Sequence, residues 1–249
     1  MGLSEHTASE TVFMYDARGP RAAPALELVQ WHDPQLITRR DLDADAPSYR
    51  VIGYRIDSLA SLTGSGHVKS VVVRGRSRKS IRVIDPDGVT VEVVEIAAAE
   101  TDPESAMLSH ERLVVSDLER SLAWYSKIGF VVRPDDDKVA RSVPGVSLYL
   151  PEDPTFSFEL ESPPKQVAIE PKVANTQGLY RIAIAVEDVT AAHAALVEDD
   201  PATPEPGFVS MPDVPTGGFT VLFLFDPDGL VVELVDRPRK AVHRPLNPV

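Results

Sequence analysis

Alternating apolar and polar residues along this chain predict a series of short strands joined by amphipathic helices. Residues 113–118, Leu-Val-Val-Ser-Asp-Leu, have the pattern of a strand that ends at a helix N-cap. The cap is Asp117, and Leu118, Leu122 and Tyr125 follow at the spacing of one apolar helix face. This segment therefore predicts a strand followed directly by a helix.

The same strand-and-cap pattern occurs twice more. Residues 182–189 repeat it, with Asp188 as the cap, and residues 51–59 are a weaker copy. A chain that repeats one pattern at a regular interval is built from copies of one structural unit.

A second pattern closes the units. The tetrapeptide Asp-Pro-Asp-Gly stands between two apolar strands at residues 85–88 and again at 226–229. Proline presets the turn and glycine accepts positive φ at its end, so both copies predict a hairpin. Glu92 and Glu233 fall seven residues after the first Asp of each copy.

These patterns divide the chain into βαβββ modules. Complete modules are expected at about 49–96, 108–161 and 179–236, and residues 11–31 read as two strands that lack an opening strand and helix. The fold class is therefore α+β, with tandem βαβββ modules that form curved mixed sheets with helices outside, and an incomplete first module. Ala, acidic residues and Pro at 97–103 suggest a connector. The expected domains are an N-terminal domain at 1–100, a C-terminal domain at 104–240 and a tail at 241–249.

Composition narrows the classes of function. The 249 residues are 43% hydrophobic, contain no Cys and carry a formal net charge of −13. Disulfides, cysteine-bound zinc and thiol catalysis are excluded, and such a charge disfavours nucleic acid and anionic membranes. No apolar run reaches the roughly 20 residues of a membrane span. Residues 1–6 lack the features of a signal peptide, so we expect a cytoplasmic protein.

The residues from His110 to Phe130, with the hairpins at 85–88 and 226–229, resemble a known family. They are similar to modules of the vicinal-oxygen-chelate superfamily, which comprises glyoxalases, bleomycin-resistance proteins and extradiol dioxygenases. The resemblance implies that two modules pair to form a curved sheet around a cup. It also implies a small-molecule substrate and one divalent metal, such as Fe, Mn, Zn, Ni or Co.

The resemblance also indicates site residues in the cup of the C-terminal domain. The metal positions of the family fall on His110, Glu159, Arg181 and Glu233. Strand alternation independently directs these side chains away from the apolar face. The predicted metal ligands are His110, Glu159 and Glu233, and the predicted catalytic residues are Glu233 and Arg181. The predicted substrate contacts are Arg112, Arg181, Glu161 and Phe223.

Arg181 departs from the family pattern, and two interpretations remain open. A guanidinium stays protonated in proteins and cannot ligate a metal. In the first interpretation the other three residues hold the ion, and Arg181 binds an anionic substrate group. In the second no metal binds, and Arg181 neutralises Glu159 or Glu233. Both require Arg181 to lie close to at least one of these two carboxylates.

The matching positions of the first half are weaker. They are Glu27, Val51 and Glu92, and Val51 cannot ligate a metal. We expect a structural role for these residues, because copies of a fold outnumber functional sites.

The leading hypothesis is a small-molecule enzyme with glyoxalase-, isomerase-, lyase- or dioxygenase-like chemistry and a metal-assisted site. By the resemblance, the tyrosine that assists catalysis in extradiol dioxygenases falls near Phe223. Phenylalanine has no hydroxyl group, which disfavours extradiol dioxygenase activity. The alternatives are a metal-free small-molecule-binding or drug-sequestering protein and a non-catalytic biosynthetic accessory protein. The missing strand of the first module leaves a sheet edge to be covered, and we expect either a homodimer or rearranged N-terminal residues to cover it.

The net charge of −13 predicts that the protein does not bind DNA at physiological salt. An electrophoretic mobility shift titration would measure this, with a basic DNA-binding protein as the positive control. A submicromolar, salt-dependent midpoint would contradict the prediction.

Overall fold

The computed structural model describes residues 7–20, 22–38, 45–62, 64, 66–96, 106–165, 167, 172–211 and 216–237. In chain order its elements are β1 (Ala8–Met14), β2 (Leu26–Asp33), β3 (Ser48–Ile56), a 3-10 helix (Leu59–Leu62), β4 (Lys69–Val73), β5 (Arg76–Ile84), β6 (Thr90–Glu95), β7 (Met107–Val114), α1 (Leu118–Lys127), β8 (Val131–Arg133), β9 (Gly145–Leu150), β10 (Asp153–Glu161), β11 (Arg181–Val186), α2 (Val189–Asp199), β12 (Gly207–Ser210), β13 (Gly218–Phe225) and β14 (Val231–Asp236). The connector predicted at 97–103 and the tail predicted at 241–249 lie outside the described residues.

Two modules share one sheet of eight strands, in the order β4-β5-β6-β3-β7-β10-β9-β8. Within each module the first strand pairs in parallel with the last, β3 with β6 and β7 with β10. The modules meet where β3 pairs antiparallel with β7, which sets Gly53 opposite His110 and Val51 opposite Arg112. The predicted architecture of tandem βαβββ modules in mixed sheets is confirmed.

The remaining strands form two smaller sheets. The incomplete first module contributes the antiparallel pair β1-β2. The last module forms a four-stranded sheet in the order β11-β14-β13-β12, in which β11 and β14 are again parallel. No helix among the described residues is long and apolar enough to cross a membrane.

The division of the chain differs from the domains suggested by the sequence. Contacts separate two compact units, and among the described residues the first ends at Tyr180 and the second begins at Arg181. The eight-stranded sheet includes strands on both sides of residues 97–103, so the boundary expected at 100–104 does not separate two bodies. The reason is the β3–β7 ladder, whose hydrogen bonds join the second module to the third.

Both helices begin at the predicted caps. The side chain of Asp117 accepts the backbone N–H of Arg120 at 3.0 Å, and that of Asp188 accepts the N–H of Ala191 at 2.9 Å. The weaker copy at 51–59 gives β3 and only one turn of 3-10 helix. Gly64 and Gly66 follow that turn closely, and each glycine costs a helix about 1 kcal/mol.

The two Asp-Pro-Asp-Gly hairpins have the same hydrogen bonds. Asp85 Oδ1 accepts the N–H groups of Asp87 and Val89, at 2.9 and 2.8 Å. In the second copy Asp226 Oδ1 accepts from Asp228 and Leu230 at the same two distances. These acids therefore build the turns, and Glu92 and Glu233 take equivalent places on β6 and β14.

The eight-stranded sheet has one apolar and one charged face. On the apolar side, α1 packs Tyr125 against Phe158, with ring centroids 6.1 Å apart, and Phe130 stacks on Phe158 at 4.7 Å. Leu113 and Leu160 pair across β7 and β10 and are fully buried. This packing supplies the apolar burial that stabilises the sheet.

Gly53 is required where the two modules meet. A Cβ atom at this position would overlap the imidazole ring of His110. Gly53→Ala should lower the free energy of unfolding by about 1–3 kcal/mol, as overpacking does in cores. Urea denaturation followed by circular dichroism would measure the loss. The matched control is Gly207→Ala, also in a strand, where a Cβ would meet nothing within 4 Å. Equal stability of both variants would contradict the prediction.

Candidate functional site

Strand register collects the charged side chains on one face of the eight-stranded sheet. Glu92, Gly53, His110 and Ser157 stand in one row across β6, β3, β7 and β10. The adjacent row runs from Val51 to Arg112, Glu159 and Ser147. The charged face is defined here by the side chains of Glu92, His110, Arg112, Glu159 and Glu161.

Glu92 is the centre of this face. Its Oε1 accepts a hydrogen bond from Arg82 Nε at 2.7 Å. Its Oε2 accepts from Arg112 Nε at 2.8 Å, from Arg112 Nη2 at 2.6 Å and from His110 Nε2 at 2.9 Å. The Glu92 side chain has no exposed surface. Two guanidinium groups and an imidazole thus surround one buried carboxylate.

These partners keep Glu92 ionised. Burial by itself raises the pKa of a carboxyl, but the hydrogen bond from His110 and the charges of Arg112 and Arg82 outweigh it and hold the pKa of Glu92 well below its usual range. Burial lowers the pKa of His110, so the imidazole is neutral. An ionised carboxylate only accepts hydrogen bonds, so His110 carries its proton on Nε2. Its Nδ1 then accepts from Ser109 Oγ at 2.7 Å.

Arg112 links Glu92 to the next carboxylate along the face. Its Nη1 donates to Glu161 Oε1 at 2.7 Å, and its Nη2 also donates to the carbonyl of Val72 at 3.1 Å. Burial lowers the pKa of a guanidinium, but the charges of Glu92 and Glu161 outweigh it and raise the pKa of Arg112. Arg112 and Glu161, predicted as substrate contacts, bind each other here.

The carboxylate of Glu159 accepts its hydrogen bonds from neutral hydroxyl and amide groups. Its Oε2 accepts from Ser147 Oγ at 2.5 Å. Its Oε1 accepts from Ser157 Oγ at 2.8 Å and from the backbone N–H of Arg74 at 2.9 Å. The side chain is fully buried, and Arg141 Nη1 lies 4.0 Å from Oε2. Both carboxylate oxygens are therefore occupied by the protein.

The nitrogen and oxygen atoms of the charged face that could ligate a metal are not arranged to bind a divalent cation. A metal ligand must offer a lone pair, and the one on His110 Nδ1 is taken by Ser109. Glu92 is neutralised by Arg112 and Arg82, and the oxygens of Glu159 hold protein donors. Among the described residues no three His, Cys, Asp or Glu side chains form a group suited to a metal. The predicted set of His110, Glu159 and Glu233 draws on both compact units and stays a prediction.

The second unit carries a smaller charged pair on its own sheet. Arg181 Nε donates to Glu233 Oε2 at 2.6 Å. Phe223 stands opposite Glu233 in the β13–β14 register, on the same face. The prediction that Arg181 lies close to Glu159 or Glu233 is confirmed by its contact with Glu233. This geometry is shared by both interpretations of Arg181.

Sequence reasoning missed the centre of the charged face. It gave Glu92 a structural role in an N-terminal cup and did not consider Arg82 or Arg74. The equivalent hairpins did place Glu92 and Glu233 at matching positions. That signal could have identified Glu92, had the second and third modules been paired instead of the third and fourth.

Glu111 lies on the opposite face of β7 and has a different environment. It is 8% exposed, beside Phe158 and Ile52 in the strand register. Burial raises the pKa of its carboxyl to about 8. At neutral pH the folded protein therefore holds Glu111 mainly as a neutral acid.

Comparisons with known proteins agree with this architecture. The sequence profile of the glyoxalase/bleomycin resistance protein/dioxygenase superfamily matches residues 107–234. Glyoxalase I from Zea mays has a similar structure, with a TM-score of 0.58 and 22% identity over 88% of this chain and 75% of that chain. A provisionally assigned dioxygenase from Bacillus subtilis gives a TM-score of 0.51 and 12% identity over 80% and 68%. No curated protein sequence matches the chain. At such identities the structural likeness shows the fold alone.

Removing the central cation should destabilise the protein strongly. Arg112→Gln leaves Glu92 buried beside fewer partners, and loss of one member of a buried ion pair costs about 3–5 kcal/mol. Chemical denaturation at pH 7 would measure this. The control is Arg76→Gln, because Arg76 and its partner Asp136 are both more than half exposed and such pairs contribute about 0–1 kcal/mol. A loss for Arg112→Gln no larger than that of the control would refute the central role of Glu92.

The neutral Glu111 predicts a stability that falls as pH rises. Between its ordinary pKa of 4.5 and its folded pKa of about 8, the folded state keeps a proton that the unfolded state has released. Below the ordinary pKa, Glu111 makes its full contribution to the free energy of unfolding. Between the ordinary and the folded pKa this contribution declines by up to about 1.4 kcal/mol per pH unit. Glu111→Gln should reduce this decline, measured by denaturation from pH 5 to 8.5. Exposed Glu152→Gln is the control, and an unchanged slope in Glu111→Gln would contradict the assignment.

Proposed function

Because this chain belongs to the glyoxalase/bleomycin resistance protein/dioxygenase superfamily, we propose that it binds a small oxygenated molecule through the charged face without a resident metal ion. The observation that carries this proposal is the Glu92 network. Arg112 Nη2 lies 2.6 Å from Glu92, so a guanidinium supplies the positive charge that a metal would otherwise bring. The sequence favoured a metal-assisted enzyme, and the geometry supports its metal-free alternative better.

Binding without turnover agrees best with the state of the titratable groups. A general acid or base needs a nitrogen or oxygen that can exchange a proton with the reacting atom. Both ring nitrogens of His110 are engaged, by Ser109 and by Glu92, and the ring is fully buried. Glu159 is equally enclosed by hydroxyl and amide donors. The role of these buried groups is then to hold a fixed pattern of charge within the sheet that the ligand binds against.

The predicted location and assembly belong to the same proposal. A cytoplasmic homodimer remains a prediction. The two-stranded sheet supports a partner surface, because Val12, Met14 and Leu28 are exposed on one of its faces, and clustered apolar side chains of this kind mark interaction sites.

Metal analysis tests the proposal directly. Tag-free protein should contain less than about 0.1 equivalent of transition metal per chain, and chelator should leave its melting temperature unchanged, since metal bound to a folded state stabilises that state. Elemental analysis by mass spectrometry and thermal melts with EDTA, Ni²⁺, Zn²⁺ or Mn²⁺ would provide both measurements. A stoichiometric metal whose removal lowers the melting temperature would overturn the proposal.

A further inference from the structure

The β4–β5 hairpin closes over the charged face at a tight turn. Arg74 and Gly75 form this turn with positive φ angles of 56° and 69°. The N–H of Arg74 donates to Glu159, and the N–H of Gly75 donates to Ser147 Oγ at 3.1 Å. The hairpin of the second module is thereby fastened to β9 and β10 of the third. The side chain of Arg74 is enclosed as a consequence.

The Arg74 guanidinium is buried, and the described residues place no carboxylate in contact with it. The residue is 5% exposed. Its Nη2 donates to the carbonyl of Ser109 at 3.3 Å, and its buried Nε has no acceptor among the residues that the structure describes. A buried charge is costly unless an opposite charge and hydrogen bonds accompany it. Within the part of the chain that the structure describes, nothing supplies that opposite charge at ion-pair distance.

Two further guanidinium groups act on Arg74. Arg55 of β3 is 4% exposed and donates to Met107 Sδ at 3.2 Å. Arg133 of β8 donates to the carbonyl of Pro154 at 3.0 Å and lies 4.3 Å over the Tyr149 ring. In the described part of the chain its buried Nε has no acceptor. Burial and the charges of Arg55 and Arg133 together lower the pKa of Arg74 to about 9, against the weaker opposing effects of Glu159 and Asp153.

We propose that Arg74, with Arg55 and Arg133, forms an anion subsite at one end of the charged face that takes the carboxylate or phosphate group of a small-molecule ligand. The planar guanidinium fork matches the oxygens of either group. The buried Nε atoms of Arg74 and Arg133 are donors that such oxygens satisfy. Arg133 is less buried than the other two, so the subsite opens beside it. This inference deepens the proposed function and depends on it, because it states the charge of the ligand.

Titration calorimetry with tag-free, EDTA-treated protein tests the subsite. The probes are inorganic phosphate and succinate, added at constant ionic strength against sodium chloride. Saturable binding of at least one probe is expected, accompanied by a rise in melting temperature. The probe that binds more tightly identifies the group as phosphate or carboxylate. Binding of neither probe beyond the chloride baseline would overturn the inference.

Two variants test whether the anion binds at the proposed subsite. Arg74→Asn removes the cation, and asparagine tolerates the positive φ of the turn. It should weaken the binding probe at least about 10-fold, as loss of a charge-assisted contact does. Arg76→Gln removes the same charge two residues along the hairpin, where the side chain is half exposed, and should change binding less than about 2-fold. Equal weakening by both variants would overturn the assignment.

Stability in anion-free buffer separates a binding role from a structural one. Arg74→Asn should melt no lower than the wild type there, because it removes an uncompensated buried charge, and lower than the wild type in saturating probe. An equal loss in both buffers would mean that Arg74 is structural and would overturn the inference. If Arg74→Asn does not fold, Arg133→Gln provides the same comparison, with at least about 5-fold weakening expected.

The two proposals fail separately. Stoichiometric metal would reject metal-independent binding, while Arg74-dependent binding of phosphate or succinate would still identify the subsite. Metal-free protein that binds neither anion would reject the subsite and leave the role of Glu92 unaffected.

Discussion

A carboxylate buried in a sheet stays ionised only if positively charged groups and hydrogen-bond donors surround it. Glu92 has no exposed surface, and it remains ionised because Arg82, His110 and Arg112 all donate to it. Taking a charge out of water costs several kcal/mol even after relaxation, so the network is stable only while each member stays in place. The same demand keeps Arg112 between Glu92 and Glu161. The remainder of the charged face is built around this requirement.

The network also explains why the two modules share one sheet. Glu92 belongs to the second module, whereas His110 and Arg112 belong to the third, so their ion pairs cross the β3–β7 ladder. Gly53 permits this approach because it leaves room for the His110 ring. The β4–β5 hairpin adds a second link through Glu159. Charge, close packing and backbone pairing therefore favour the same arrangement.

Two kinds of positive charge coexist on this face. The guanidinium of Arg112 is compensated by carboxylates, which raise its pKa. Among the described residues, that of Arg74 donates only to a backbone carbonyl, and its pKa is lowered. A compensated cation stabilises the fold. An uncompensated buried cation destabilises the fold, and an anionic ligand bound to it removes this penalty. The second unit repeats the compensated form on a smaller scale, with Arg181 on Glu233.

The sequence alone determined the elements and their order except for the helix of the second module, because caps, helix faces and turns depend on neighbouring residues. Asp117, Asp188 and the two Asp-Pro-Asp-Gly turns act as predicted. Strand alternation also brought Arg181 to Glu233, since both lie within one module. Which modules share a sheet is decided by hydrogen bonding between distant strands, and no local period encodes it. The tertiary structure alone therefore decided that His110 meets Glu92, and that Arg74 is buried among guanidinium groups.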